Sequence, residues 1–308
     1  MQTYLFLIAA LLYLGCAFLP ARLAQPGAPD FGAMAGPAAS AASAQPGMSR
    51  PGLAHFITWG TLLAWLAHGA TLWFDFLVPG SLRVGFAMML SAALWVSVAL
   101  YWLENRNFAL DSMRPLVLPS AMLAVILPWL FPGSLVSLSG KSMLYGWHIA
   151  ISVLAYSTLT MAAFHAILMA VQESRLHAGG GGLAGLTAAP SGETGWFWLA
   201  VERLPALLTM EKLLFRLVRI GFVLLTLTVL SGLVFSEQFL GKALRWDHKT
   251  VFALLSWLVF GALLLGRHWR GWRGRTALSW TLAGFAMLLL AYVGSHFVME
   301  VILHRGAA

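Results

Sequence analysis

Runs of roughly 20 predominantly apolar residues recur along this chain, and each is long enough to cross the hydrocarbon core of a bilayer as a helix. That repetition narrows the choice of fold more than any other feature. In lipid every backbone N–H and C=O must be satisfied internally, so a chain of this kind folds as membrane helices or as a closed barrel. The alternating apolar and polar pattern of barrel strands is absent. Only 10% of the residues are charged and 60% are hydrophobic, against about 25% charged in ordinary soluble domains. The fold class predicted is an all-α polytopic membrane protein. Eight spans are expected, at 3–20, 53–78, 84–103, 116–131, 143–171, 213–236, 249–266 and 279–303. The fourth is short and carries Pro119 and Pro128, which predicts a kinked or re-entrant segment.

Two stretches interrupt the apolar pattern. Residues 21–52 are mostly Ala, Pro, Gly and Ser, too poor in large apolar side chains to offset ordering entropy, and read as a flexible loop. Residues 178–194 contain the run Gly179–Gly182 and read as a second linker. The expected division is therefore a first helix plus loop over 1–52 and a helical core over 53–305. Between Trp196 and Arg219 lies an amphipathic stretch with Glu202, Arg203, Glu211, Lys212, Arg216 and Arg219, expected to form an interfacial helix leading into span six.

Orientation follows from lysines and arginines, which gather in cytoplasmic loops. With the N-terminus outside, thirteen of the nineteen fall on the inner side, so both termini are expected on the outer, periplasmic side. The loop 267–275 holds four of them, Arg267, Arg270, Arg273 and Arg275, and is the strongest expected anchor. The net charge of +8 is accounted for by this bias and implies the lipid bilayer, with no nucleic acid, as the charged partner. Cys16 is the single cysteine, so no intramolecular disulfide forms. The stretch Tyr13-Leu14-Gly15-Cys16 faintly resembles a lipoprotein cleavage box, but Met1-Gln2-Thr3-Tyr4 lacks a basic n-region. The first segment is read as a retained helix.

On this topology several histidines approach one outer-leaflet region. His148 begins span five, His248 begins span seven and His304 ends span eight. His296 lies about 12 Å below His304 at 1.5 Å per residue, and His68 sits near the middle of span two. Ionisable residues inside a membrane usually face a bundle interior or cavity. His55, His165 and His177 are read as bundle or interfacial residues. The series His296, Glu300, His304 is a weak zinc pattern. Haem needs one or two axial imidazoles, aromatic walls and cations near its propionates; Tyr145, Trp147, Trp246, Trp257 and Tyr292 can supply walls, and Arg245 and Lys249 charge. No phosphate loop, dinucleotide fingerprint, nucleophile elbow or C-x-x-C occurs. A third use of the same residues is a proton path through His68, Asp75, His296 and Glu300, although no inverted repeat supports a transporter.

The order of motifs resembles the CcsA/CcmC-type cytochrome c assembly family. The matching pieces are Trp147-His148 with Ser152 to Tyr156, Ile220 to Leu227 with Ser231-Gly232, and Trp246-Asp247 with Lys249. Ala253 to Phe260, Gly271-Trp272-Arg273-Gly274 and Gly294 to His304 continue the series. The resemblance covers 143–305 and is nearest to the YpjD/HemX-like branch. It implies a multi-pass bacterial inner-membrane protein that binds haem, taken as heme b, and hands it on without bond-making of its own. His148 and His304 would be the outer axial ligands, with His248 able to replace one. Trp246 would line the ring, Arg245 and Lys249 would meet propionates, and His68 and His296 would complete the set. Implied partners are haem, other cytochrome c maturation proteins and haem-synthesis enzymes. The departures are specific. The family's tryptophan-rich segment is reduced to Trp246-Asp247, His248 replaces a usual proline, and Leu265 occupies the place of an inner histidine, with His268 three residues on. These departures argue against a complete cytochrome c synthase. A regulatory or scaffold protein without haem, acting through the inner arginine-rich loops, is the alternative.

Overall fold

The structure, a computed structural model, describes residues 2–23, 50–78, 81–108, 110–137, 139, 143–179, 204–240, 247–294 and 297–298. Among them lie eight α-helices: α1 (Gln2–Leu23), α2 (Arg50–Phe76), α3 (Phe86–Phe108), α4 (Arg114–Leu130), α5 (Met143–Gly179), α6 (Leu207–Leu240), α7 (His248–Arg270) and α8 (Gly274–Leu289). A π-helical turn, Leu290–Gly294, continues α8. Six helices are long and apolar enough to cross a membrane: those spanning Phe86–Phe108, Asp111–Leu130, Met143–Ser174, Leu207–Val234, His248–Arg270 and Gly274–Gly294. In α1 the apolar helix over Tyr4–Phe18 is shorter. The chain is thus a mostly helical, polytopic membrane protein. One element was not foreseen: a three-stranded sheet of β1 (Leu77–Val78), β2 (Ser81–Val84) and β3 (Ser134–Ser137), in that order.

That sheet decides how α4 runs. Strand β2 precedes α3 and β3 follows α4, and the two pair antiparallel from Ser81↔Ser137 to Val84↔Ser134. The start of α3 and the end of α4 are therefore at one end of the bundle, so α4 returns the full way that α3 came. A re-entrant segment would leave its end beside its own beginning. Both Pro119 and Pro128 sit inside the helix, where the missing amide donors are tolerated because neighbouring helices cover the freed backbone.

A second correction concerns the amphipathic stretch. No separate interfacial helix precedes span six over the described residues, because α6 runs unbroken from Leu207 to Leu240. Met210, Leu213, Leu214, Leu217 and Val218 are all buried, the i, i+3, i+4 spacing of a core-facing stripe. What read as a surface helix is the base of a bundle helix, packed along α5. Residues 196–203 lie outside the described residues.

The same helix base carries a buried acid. Glu211 accepts from Arg267 Nη1 at 2.7 Å and from Arg273 Nε at 2.9 Å. The Arg267 guanidinium also stacks 4.5 Å from the Phe215 ring and donates to the Trp272 carbonyl at 3.2 Å. Gly271, at φ +65°, ends α7 in the left-handed conformation, and the Gly271 and Trp272 amides both close back on the Gly266 carbonyl, the latter at 3.2 Å, a glycine-terminated helix end. A Cβ on Gly266 would overlap the Trp272 indole. Two of the four loop arginines, the half-buried Arg267 and the exposed Arg273, thus hold α6 to the α7–α8 turn; Arg270 and Arg275 are exposed as well.

Breaking this knot tests its weight. Glu211→Ala leaves two arginines unpaired beside a buried position, and with both partly exposed the expected cost is on the order of 2 kcal/mol. Thermal unfolding in detergent should show a fall of several degrees for Glu211→Ala and a smaller one for Glu211→Gln. Equal melting of both variants and the unaltered protein would show that the knot carries no stability.

Candidate functional site

Helix direction sorts the polar side chains into two ends. The beginning of α5 meets the later part of α6 through His148 and Ser231. Helix α7 runs antiparallel to α6, from Trp257 beside Thr226 to Arg267 beside Glu211. Strand β3 precedes α5, so these starts and ends share one end of the bundle. His148 lies on the second turn of α5, and Ser231 lies toward the end of α6. The His148 Nδ1 and Ser231 Oγ are 2.8 Å apart. Gly232 is beside the same ring: a Cβ built there would meet His148 Cε1 at 3.4 Å. The imidazole is half-buried.

The start of α7 supplies the rim. Asp247 is its N-cap, with Oδ1 accepting from the Thr250 amide at 2.9 Å and the Thr250 hydroxyl at 2.8 Å. His248 and Lys249 follow on the first turn and are exposed. The Asp247-x-x-Thr250 spacing was legible as a cap, and it gives the acid of the Trp246-Asp247 pair a definite role, starting α7 so that His248 and Lys249 stand at its mouth. Trp147 is exposed and Tyr145 half-buried near the start of α5. Trp257 is committed elsewhere, stacked on Phe222 at 5.8 Å with its Nε1 donating to Thr226 Oγ1 at 2.9 Å. Tyr292, in the π-helical turn, packs edge-on to Tyr156 at 6.1 Å. Arg245, Trp246, His296, Glu300 and His304 lie outside the described residues.

His68 has a different setting. Its ring is fully buried between α1 and α3, with Nε2 2.8 Å from Ser91 Oγ and Nδ1 3.4 Å from the Tyr13 hydroxyl. Both ring nitrogens have protein partners, so ligating iron there would require one of them to let go. One turn back, Trp65 and Trp95 stack at 4.7 Å and each indole N–H donates to the other's carbonyl, at 3.0 and 2.9 Å. His68 belongs to this polar lock of α1, α2 and α3. Asp75 lies in α2.

Toward the far end is a pair that nothing in the sequence joins. His165 Nδ1 bonds the Met161 carbonyl at 2.9 Å, and Nε2 faces Glu104 Oε2 at 3.6 Å. A carbonyl only accepts, so Nδ1 carries the hydrogen, and Nε2 of a neutral ring meets a carboxylate with a lone pair. Neither facing atom has a hydrogen-bond partner among the described residues. One proton held between them removes the conflict. An acid in span three was a visible signal, but nothing local linked it to a histidine 61 positions away. No group of three or more His, Cys, Asp or Glu able to hold a metal ion occurs among the described residues.

A family model described as "Cytochrome C assembly protein" matches residues 56–303. The chain belongs to that family. Among curated relatives, the inner membrane protein YpjD of Escherichia coli (strain K12) is 31% identical over 156 residues, 50% of this chain and 52% of YpjD. Cytochrome c biogenesis protein CcsA of Trichormus variabilis is 35% identical over 96 residues, 31% of this chain and 27% of CcsA. The CcsA of Synechococcus elongatus is 36% identical over 96 residues, 31% and 30% of the two chains. The chain therefore spans about half the length of YpjD and under a third of CcsA. No solved structure matches it.

Within the family frame, the chemistry present fits one half of a haem site. A bis-imidazole haem needs a ring nitrogen fixed by an outer hydrogen bond, as metal-ligating histidines usually have, and His148 has it. Carboxylates need donors, and Lys249, exposed on the first turn of α7, is a cation of the kind required.

The Glu104–His165 pair yields a separate expectation. Glu104→Gln places an amide donor toward Nε2 and should melt within a few degrees of the unaltered protein. Glu104→Leu strands Nε2 and should cost about 1–3 kcal/mol. Equal losses in detergent melting for both would show that the carboxyl itself is required.

Proposed function

We propose that this protein binds haem at the periplasmic face of a bacterial inner membrane and serves haem handling or delivery in cytochrome c assembly. Membership of the family supports the pathway, and the apolar helices support a multi-pass location. The observation that carries the site is His148, held by Ser231 at the same end of the bundle as the capped start of α7. The bias of arginines and lysines toward the opposite loops supports reading this end as the outer one.

When bound, haem supplies an iron that accepts axial imidazoles. The chain's own residues do the rest. His148 presents its ring from α5, with His304 as the second ligand and His248 the exposed substitute for either. Lys249 and Arg245 would meet the haem carboxylates, Asp247 caps the start of α7 that carries Lys249, and Trp246, Trp147 and Tyr145 would supply aromatic walls. The reading is of heme b held and passed on, with cytochrome c maturation proteins or haem-synthesis enzymes as partners. His296 belongs to the proposed set through its place in the same final segment as His304, whereas the partners of His68 favour a structural role. The proposed role is ligation and handover, without bond-making by the chain's own residues.

The competing scaffold reading rests on the basic loop 267–275. Two of its four arginines are engaged by Glu211, which leaves half the expected surface for a partner. The proton-path reading needs His68 exchanging protons, yet that ring is enclosed.

The purified chain, supplied with heme b in detergent, should show a Soret band. His148→Ala combined with His304→Ala should abolish most of it while the melting temperature stays near that of the unaltered protein. A spectrum indifferent to both substitutions would sink the haem assignment.

A further inference from the structure

Ser231 makes a second hydrogen bond that fixes the chemistry of the first. Its Oγ donates to the Thr228 carbonyl at 3.1 Å. A serine hydroxyl has one hydrogen and two lone pairs. With the hydrogen directed at Thr228, which can only accept, Oγ turns a lone pair toward His148 at 2.8 Å. In that arrangement the hydrogen between them sits on the imidazole, and Nδ1–H donates to Ser231 Oγ. In the neutral ring Nε2 then carries the lone pair, and the two nitrogens point to opposite edges of the ring. Gly232, next in the helix, lets the ring lie close against α6, since a Cβ there would already be at 3.4 Å from Cε1.

Resting on the haem reading, we infer that Ser231 is a positioning residue that holds His148 in the tautomer and orientation whose Nε2 ligates iron. The relay runs Thr228 carbonyl, Ser231 hydroxyl, His148 Nδ1–H, Nε2. It resembles the outer hydrogen bonds that fix ring orientation and raise ligand basicity at metal-bound histidines, whose loss typically costs 10–100-fold in metal affinity. Unlike a carboxylate in that place, a hydroxyl already committed to a carbonyl adds no charge to a membrane helix, where charge is costly. A mid-helix serine bonded to the i−3 carbonyl would ordinarily be read as satisfied and silent; here that bond sets the hydroxyl as an acceptor.

The experiment compares the full chain with Ser231→Ala, Ser231→Thr and His148→Ala, each purified in detergent and loaded with heme b. Haem loss to an excess of apomyoglobin, the iron midpoint potential and the melting temperature are measured on each. Ser231→Ala is expected to lose haem about 10–100-fold faster, with a raised potential from a weaker donor imidazole and an unchanged melting temperature. Ser231→Thr, which keeps the acceptor, is expected to restore both haem retention and potential. Wild-type retention and potential in Ser231→Ala, while His148→Ala loses haem, would overturn the Ser231 inference and leave the haem reading intact. A lowered melting temperature with haem properties unmoved would reduce Ser231 to a packing role and overturn it equally. Should His148→Ala itself hold haem as the unaltered protein does, the site reading and the inference fall together.

Discussion

A polar group in the water-free layer of a membrane must find its partner inside the bundle, and this fold is arranged around that demand. Serines and threonines in mid-helix answer it locally. Ser97, Ser120, Ser157, Thr158, Thr160, Thr226, Thr228 and Thr281 each donate to the carbonyl four residues back. Larger groups answer it between helices: Trp65 with Trp95, Ser256 with the Gly284 carbonyl at 2.9 Å, Tyr156 with the Leu288 carbonyl at 3.1 Å. Small residues permit these approaches. Phe260 lies against Gly284 and Leu159 against Gly221, each closer than a Cβ would allow, the close backbone packing on which membrane helices rely.

Much of this was legible in the sequence because the apolar period and the loop punctuation are local signals. The starts expected at 84, 116, 143, 249 and 279 fall within a few residues of α3, α4, α5, α7 and α8. Gly271 and Asp247 mark the termini of α7 as expected of a C-terminal glycine and a capping aspartate. The far limit of α5 was underestimated because Gln172, Glu173 and Ser174 look like the end of a span, although the helix continues to Gly179. The errors at α6 and in the basic loop have one origin. Glu211 looked like the polar face of an interfacial helix, and its partners Arg267 and Arg273 come from more than fifty residues away. Charge counting assigns an arginine to a loop and a side of the membrane, but cannot show that its guanidinium is turned back onto an acid.

The site was legible unevenly for the same reason. His148 stood out as a histidine at the head of an apolar helix beside a motif of the family. Its partner Ser231 was visible only as part of the Ser231-Gly232 pair, since hydroxyls are common in these helices and 83 positions separate the two. Conversely, the depth of His68 in span two made it a ligand candidate, while Tyr13 and Ser91 come from helices with no pattern linking them. A histidine in a membrane span draws attention by its cost; which kind it is depends on its neighbours.

Three buried or half-buried histidines therefore separate by their hydrogen bonds and their place in the fold. His68 has side-chain partners at both nitrogens and knits three helices. His165 spends Nδ1 on its own helix and faces an acid with Nε2, so its second nitrogen is tied to Glu104. His148 meets the Ser231 hydroxyl with Nδ1, and on the inferred relay it donates there and keeps the electron pair on Nε2. The three rings are the same, and so is the requirement that each hydrogen and lone pair find an answer. His165 and His148 can both carry the hydrogen on Nδ1, but Nε2 of His165 faces the Glu104 carboxylate, whereas His148 stands at the end of the bundle that holds the start of α7. Under the proposed haem reading, that place in the fold, with Ser231 as its hydrogen-bond partner, is what favours His148 as the iron ligand.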